Sequence, residues 1–333
     1  MDFQLSDDQR ALRSGMCDLL GAVFDRDRMR AAVERGDGVD RDRGVDRRLW
    51  RELGAAGFFA LRLPEEAGGV GLGLPEAVLL FEEAGRALLP GPLVATHLAA
   101  GLVKGAAEGE AVVTVAEGGG RPVADLGGAD AVLVGGGAEV LTGEELEAFV
   151  AGAVPVRSMD PLTRLHRVEG RSAGAGASEA YPGALRREGA LLSAAEQLGS
   201  AARTTEMAVQ HARSREQFGS LIGSFQAVKH LCADMLARTE PARSAVYAAA
   251  VTGDPVEIAA AKLLADEAAV RNARDCLQIH GGMGFTWEAD VHLHLKRAWL
   301  RAARWLTAAE AEEVLAAGLD PVRPLYGGSA AVG

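Results

Sequence analysis

The feature that most constrains this 333-residue chain is its C-terminal half, where long alanine-rich segments begin near residue 188. They are broken only at Gly219 to Gly223, Gly253 to Pro255 and Gly281 to Gly284. Alanine is the best helix former and glycine and proline the worst, so the pattern predicts roughly four helices with sharp breaks between them. Helices of this length joined by short turns fold back on one another as a bundle. Composition agrees, since 48% hydrophobic content with only 5% aromatic residues leaves Ala, Val and Leu to fill the core. Small aliphatic side chains suit closely packed helices better than sandwiched strands.

The N-terminal third is helical in shorter pieces. Ser6 with Gln9 makes a capping box, and Leu12, Met16, Leu19, Leu20 and Val23 follow at helical spacing, giving a first helix over about 6–25. A charged stretch that reads as frayed comes next. Leu49, Trp50 and Leu53 then open a second short helix, with Gly57 beyond its end. A third covers 75–89, opening with Pro75 and Glu76, turning Val78, Leu79, Leu80 and Leu88 inward, and stopping at Pro90, Gly91 and Pro92. Between about 105 and 182, β-branched runs such as Val112 to Val115 and Ala131 to Val134 sit between glycine clusters, which is a strand-and-turn pattern. The expected class is mainly α with a small β insert. Its parts are an N-terminal helical domain over 1–104, a reduced middle β domain over 105–184, a C-terminal four-helix bundle over 185–318 and a poorly ordered tail over 319–333.

Charge and cysteine usage exclude several functions. The formal net charge is -11, with Lys and Arg interleaved among acids, so no nucleic-acid partner is expected. Cys17, Cys232 and Cys276 are odd in number and far apart, which argues for reduced thiols and against structural zinc. The N-terminus has neither a basic region nor an apolar signal core, and no stretch reaches the roughly 18 apolar residues that span a bilayer, so no membrane partner and a cytoplasmic location are expected. His292 and His294 stand two apart and point to different faces of a helix, so no metal site is expected; Lys296, Arg297, Arg301 and Arg304 read as a solvated or interface face.

Three segments carry chemistry. Residues 63–72, Leu-Pro-Glu-Glu-Ala-Gly-Gly-Val-Gly-Leu, form a glycine-rich turn that on its own needs no reason beyond loop geometry. Arg215-Glu216-Gln217-Phe218-Gly219, followed by Ile222-Gly223-Ser224-Phe225-Gln226, joins one helix to the next. An Arg fork holds a diphosphate bidentately, glycines admit a backbone close to it, and Ser224 stands where it would cap the helix carrying Gln226. An ordinary interhelical turn with a solvated Arg is the alternative. Gln278-Ile279-His280-Gly281-Gly282-Met283-Gly284-Phe285-Thr286 closes another long helix. With no strand leading in and no GxGxxG spacing, it is not a Rossmann fingerprint.

In this order, the three segments resemble the acyl-CoA dehydrogenase family over roughly residues 1–105 and 185–300. The resemblance implies an oxidoreductase that desaturates the α,β bond of an acyl-CoA thioester with FAD, an electron-transfer flavoprotein as acceptor, and a role in lipid or steroid catabolism. It also implies that Arg215, Gln217, Phe218 and Gln226 touch the adenosine and diphosphate of a FAD belonging to a neighbouring subunit, with Gln278, Ile279, Gly281 and Gly282 completing that pocket.

The chain departs from the family where the base should be. Family members take the substrate α-proton with a Glu while hydride leaves for the flavin. Carried over from Lys296-Arg297-Ala298, one family position for this Glu falls on Trp305; counted back from Arg215, the other falls on Gly189. Glu188 is one residue off, about 100° around a helix, and Glu196 lies two turns beyond Gly189 on nearly the same face, so both stand as catalytic candidates. The family's Thr-Glu-Pro…Gly-Ser-Asp stretch around the flavin ring is unmatched, and Val115-Ala116-Glu117-Gly118-Gly119-Gly120 stands in its place. The resulting expectation is one subunit of a heteromeric acyl-CoA dehydrogenase, with a homologous partner subunit supplying the ring pocket and the base. A self-sufficient dehydrogenase using Glu188 or Glu196, and a scaffold homologue without FAD, are the alternatives.

Overall fold

The computed structural model of the chain describes residues 4–37, 45–137, 139–168 and 183–319. The N-terminal part is five helices: α1 (Asp7–Val23), α2 (Arg26–Asp37), α3 (Arg47–Ala55), α4 (Leu74–Arg86) and α5 (Leu93–Leu98). The expected capping box starts α1, with Ser6 Oγ accepting from the Gln9 N–H and the Gln9 side chain accepting in return from the Ser6 N–H. The stretch that reads as frayed holds α2 instead. Its Met29 and Val33 lie one turn apart and are both buried, too few apolar residues to register as a period yet enough to seat one helical face.

Among the described residues, the β insert forms two small sheets. β1 (Val113–Ala116) pairs in parallel with β3 (Ala131–Val134), which pairs antiparallel with β4 (Glu139–Leu141). β2 (Val123–Ala124), β6 (Leu165–Val168) and β5 (Ala153–Val156) make the second sheet, in that order. β1 and β3 are buried throughout, which is why each reads as an unbroken apolar run and not as an alternation. Between β4 and β5, α6 (Gly143–Ala151) brings Leu146 and Phe149 into the core formed with Val132, Val134 and Leu141. Residues 169–182 of the expected insert, and the tail beyond Leu319, lie outside the described residues.

The C-terminal part is α7 (Ala184–Ser214), α8 (Gln226–Thr252), α9 (Pro255–His280), α10 (Val291–Ala302) and α11 (Ala308–Gly318), one helix more than expected. The additional break comes at Trp305, with φ +63°, and at Thr307, which caps α11 in a capping box with Glu310. α7 is the axis, packed against α4, α8, α9 and α10, and its residues 189–202 are buried without interruption. It meets α4 backbone to backbone. A Cβ on Gly199 would lie 1.8 Å from Glu82 O, and one on Gly85 would lie 2.0 Å from Glu196 O, so no side chain fits at that crossing.

Candidate functional site

The chain runs up α7, down α8 and up α9, so the Arg215 connection and the Gln278 turn emerge at the same end of the bundle. Their junction is direct. His211, one turn before Arg215, stacks on His280 with ring centroids 4.1 Å apart and planes at 18°. Below the stacked rings, Ala212 and Ile222 from one connection share a buried cluster with Leu277 and Ile279 from the other. The Ile279 side chain belongs to that core, so it can meet a ligand only through its backbone. Neither histidine was singled out from the sequence, although each lies within a turn of a loop that was. Burial lowers the His211 pKa first, and the charges of His280 and Arg215 lower it further.

Beyond α7 the Arg215 connection is a two-residue hairpin, with β7 (Glu216–Gln217) paired to β8 (Ser220–Leu221) and Phe218 and Gly219 at its tip. Both tip residues have positive φ, 56° and 73°, as a tight hairpin turn of this hand requires. For Phe218 this is a strained conformation, and its side chain is 94% exposed. Its ring meets the Phe225 ring edge-on at 6.4 Å but is not covered by it, and strained, exposed outliers of this kind gather at functional sites. Ser224 is not the expected cap of α8. Its Oγ donates to Leu221 O at 2.7 Å, and Phe225 occupies the N-cap without a side-chain hydrogen bond. The first N–H groups of α8 are therefore left without a side-chain acceptor, beside the exposed side chains of Arg215, Gln217 and Gln226. On the other connection Gln278 is exposed, Gly281 has φ +60°, and a Cβ on Gly281 or Gly282 would meet nothing within 4 Å.

The second locus lies at the other end of α7. The two positions where the family's base is expected touch each other: the Trp305 indole lies so close over Gly189 that a Cβ there would sit 2.1 Å from its ring. Trp305 is only 4% exposed. Its backbone N–H donates to Glu117 Oε2 at 2.6 Å, its carbonyl accepts from Arg186 Nε at 2.6 Å, and Glu117 also accepts from Arg304 at 3.0 Å. Glu117 thus fixes the backbone that carries the indole. Each candidate base has an arginine partner, with Glu188 2.6 Å from Arg62 and the buried Glu196 2.8 Å from Arg301.

The arginines of α10 are not the solvated face expected of them. Arg297 and Arg301 are buried, Arg297 paired with Asp160 and Arg301 with Glu196, while the partly buried Arg304 reaches Glu117. All three partners are distant in sequence, which is why the arginines look unpaired when α10 is read alone. Lys296 stands over the Trp287 ring at 4.8 Å. Among the described residues no group of three or more His, Cys, Asp or Glu side chains could hold a metal ion, and no helix is long and apolar enough to cross a membrane.

The donor set at the His211–His280 junction fits the diphosphate end of a dinucleotide: a guanidinium fork, three primary amides, unsatisfied helix N–H groups and two glycines with open space above them. The locus around Trp305 does not fit a flavin ring with its substrate. Its cavity is about 50 Å³, against the several hundred Å³ that ligand pockets offer. The loci are separated by the length of α7, 26 residues from Gly189 to Arg215, or roughly 39 Å at 1.5 Å per residue.

Known proteins share the fold. Residues 6–108 match the acyl-CoA dehydrogenase N-terminal domain and residues 186–311 the acyl-CoA dehydrogenase C-terminal domain, flanking the β insert. The chain is 38% identical over 275 residues to acyl-CoA dehydrogenase IpdE2 of Mycobacterium tuberculosis, covering 77% of this chain and 82% of that protein. Against IpdE2 of Mycolicibacterium smegmatis it is 34% identical over 310 residues, covering 88% and 93%. A chain from the ChsE4-ChsE5 complex of Mycobacterium tuberculosis shares the fold with a TM-score of 0.75 at 23% identity, covering 97% of this chain and 100% of that one.

Proposed function

This chain belongs to the acyl-CoA dehydrogenase family of flavin-dependent oxidoreductases acting on acyl-CoA, and we propose that it works there as the subunit that grips FAD without supplying the base. The observation that carries this reading is the Trp305 indole on Gly189. An indole and a glycine hydrogen fill the two places from which a carboxylate would reach the substrate α-carbon, and neither can accept a proton at neutral pH. Glu188 and Glu196 are each engaged by a guanidinium, Arg62 at 2.6 Å and Arg301 at 2.8 Å, so each carboxylate already has a partner within this chain.

At the other end of α7, Arg215 would take the FAD diphosphate in its fork, with Gln217, Gln226 and Gln278 donating amides and the Gly281–Gly282 backbone approaching closely. Phe218, held outward by its strained turn, offers a flat apolar face to the adenosine. FAD supplies the hydride acceptor. The roughly 39 Å along α7 exceeds the reach of one extended flavin dinucleotide, so the FAD gripped here would place its ring in a neighbouring subunit. A homologous partner with an intact base and ring pocket completes the enzyme, an arrangement favoured by the likeness to a chain from a two-protein complex.

Expression with and without a homologous acyl-CoA dehydrogenase tests the proposal. The chain alone should be colourless, and the co-purified complex yellow and active with an artificial electron acceptor. Within that complex Glu188→Gln and Glu196→Gln should each leave turnover within about threefold, because removing a general base costs on the order of 10²- to 10⁴-fold. A yellow, active homo-oligomer, or a hundredfold loss in either variant, would return the base to this chain.

A further inference from the structure

We propose that the small cleft beneath Trp305 is a binding site for one small monovalent anion, of the size of bromide, chloride or formate, held between Arg297 and Arg301. Asp125, Ser193, Glu196 and Trp305 also line this space of about 50 Å³. Arg297 gives its Nε to Asp160 and its Nη1 to Leu89 O at 3.1 Å, and its Nη2 has no acceptor. Arg301 gives its Nη2 to Glu196 at 2.8 Å, and its Nη1 has none. These side chains are only 5% and 7% exposed. Two buried guanidinium N–H groups without acceptors, on arginines that line one void, are a rare combination, because buried donors are almost always satisfied. The void holds roughly three to five water-sized centres at 10–15 Å³ each, or one small anion with a water beside it.

Charge decides between water alone and an anion. Arg297, Arg301 and Arg304 pair with Asp160, Glu196 and Glu117. Arg121 shares Glu117 and Glu310, and Arg186 shares Glu310. Five guanidiniums therefore face four paired carboxylates. Asp125 is the fifth acid of the cluster, but burial biases it toward its neutral form. Burial also lowers Arg301 to about 10 against the pull of Glu196, marking its charge as undercompensated. In a water-poor interior one positive charge in excess is strongly attractive to an anion. The site lies about 29 Å along α7 from Arg215, 19 residues from Glu196, and neither flavin nor a base enters the argument.

Melting of the purified protein, alone or in its complex, with bromide replacing sulfate at constant ionic strength should show a saturable rise of roughly 5 °C by hundredfold excess over Kd. Crystals grown in bromide should carry an anomalous peak within contact of Arg297 Nη2 and Arg301 Nη1. Arg297→Lys is the decisive variant. It keeps the charge beside Asp160 while removing the acceptor-free Nη2, and half-saturation should come at several-fold higher bromide. Melting that follows ionic strength whatever the anion, water density in place of the bromine signal, or an unchanged midpoint in Arg297→Lys would each overturn the assignment.

Discussion

Arg215 is exposed and its side chain contributes nothing to the core, so its removal isolates ligand binding from folding. In the complex, Arg215→Ala should weaken FAD retention roughly 10- to 100-fold, the equivalent of one charge-assisted pair at about 1.5–3 kcal/mol, while the melting temperature of flavin-free protein stays put. Arg215→Lys should fall between, since an ammonium keeps the charge and loses the fork. Equilibrium dialysis of FAD decides it, and unchanged affinity in Arg215→Ala would favour a scaffold that has lost the cofactor. Buried histidines make a different demand. Burial pushes His97 down to about 4 and His294 down to about 3, while an unfolded histidine titrates near 6.5. Below pH 6.5 the unfolded chain binds protons that the folded chain refuses, so stability is complete above that pH and is lost as pH falls toward 4 and 3. From pH 7 to 5.5 the two together should cost about 2.5 kcal/mol in urea unfolding. Glu310 is held at about 2 against its own desolvation by the Thr307 N–H and by Arg186, and it adds its loss only below its ordinary range near 4.5. His294→Gln should remove about half of the drop between pH 7 and 5.5. A flat profile in that window would mean that these histidines are not folded in the neutral form.

Elements are fixed here by two kinds of information, of which only one is local. The α4–α7 crossing depends on Gly85 and Gly199 letting backbones touch. Gly199→Ala should therefore destabilise by roughly 3 kcal/mol, the upper end of what overpacking costs. Gly15, in the middle of α1 with nothing near its missing Cβ, provides the control: Gly15→Ala should stabilise by about 0.5–1 kcal/mol. Chemical denaturation of both variants tests whether the crossing or helix propensity governs. The same division explains what could be read in advance. The Ser6 capping box, the helix of Pro75 and Glu76 and the glycine breaks of the bundle were legible because cap and turn chemistry acts within four residues. α2 was not, because only Met29 and Val33 on it are buried in the core, too few to register as a period. The α10 arginines were misread for a similar reason: Asp160, Glu196 and Glu117 lie more than a hundred residues away. Trp305 and Gly189 were each located by spacing, yet that one fills the space above the other is a fact of tertiary packing. The His211–His280 stack was likewise visible only as two histidines, each near the end of a long helix.

At the scale of the molecule, the long α7 separates the proposed FAD-gripping end from the Trp305–Gly189 locus, and large hydrophobes are exposed at the gripping end. Phe218 and Phe285 are 94% and 77% exposed, and Leu221, Phe225 and Met283 are exposed around them on the same two connections. Scattered single hydrophobes are ordinary, but a concentration of large ones on two adjoining turns is where the partner of the proposed complex would dock. Since none of these side chains is part of the chain's own core, replacing them should spare folding and remove association. Phe285→Asp should leave the melting temperature of the isolated chain within about 2 °C, because exposed substitutions rarely exceed 0.5 kcal/mol. Co-purification with the homologous partner should drop at least tenfold, because a buried aromatic anchor commonly carries 2 kcal/mol or more of an interface. Size-exclusion chromatography of the co-expressed pair measures the second effect and a thermal melt the first. Were Phe285→Asp to assemble normally and still bind FAD, the partner would have to dock elsewhere, and a flavin gripped at this end would need its ring pocket from some other surface than the one these aromatics form.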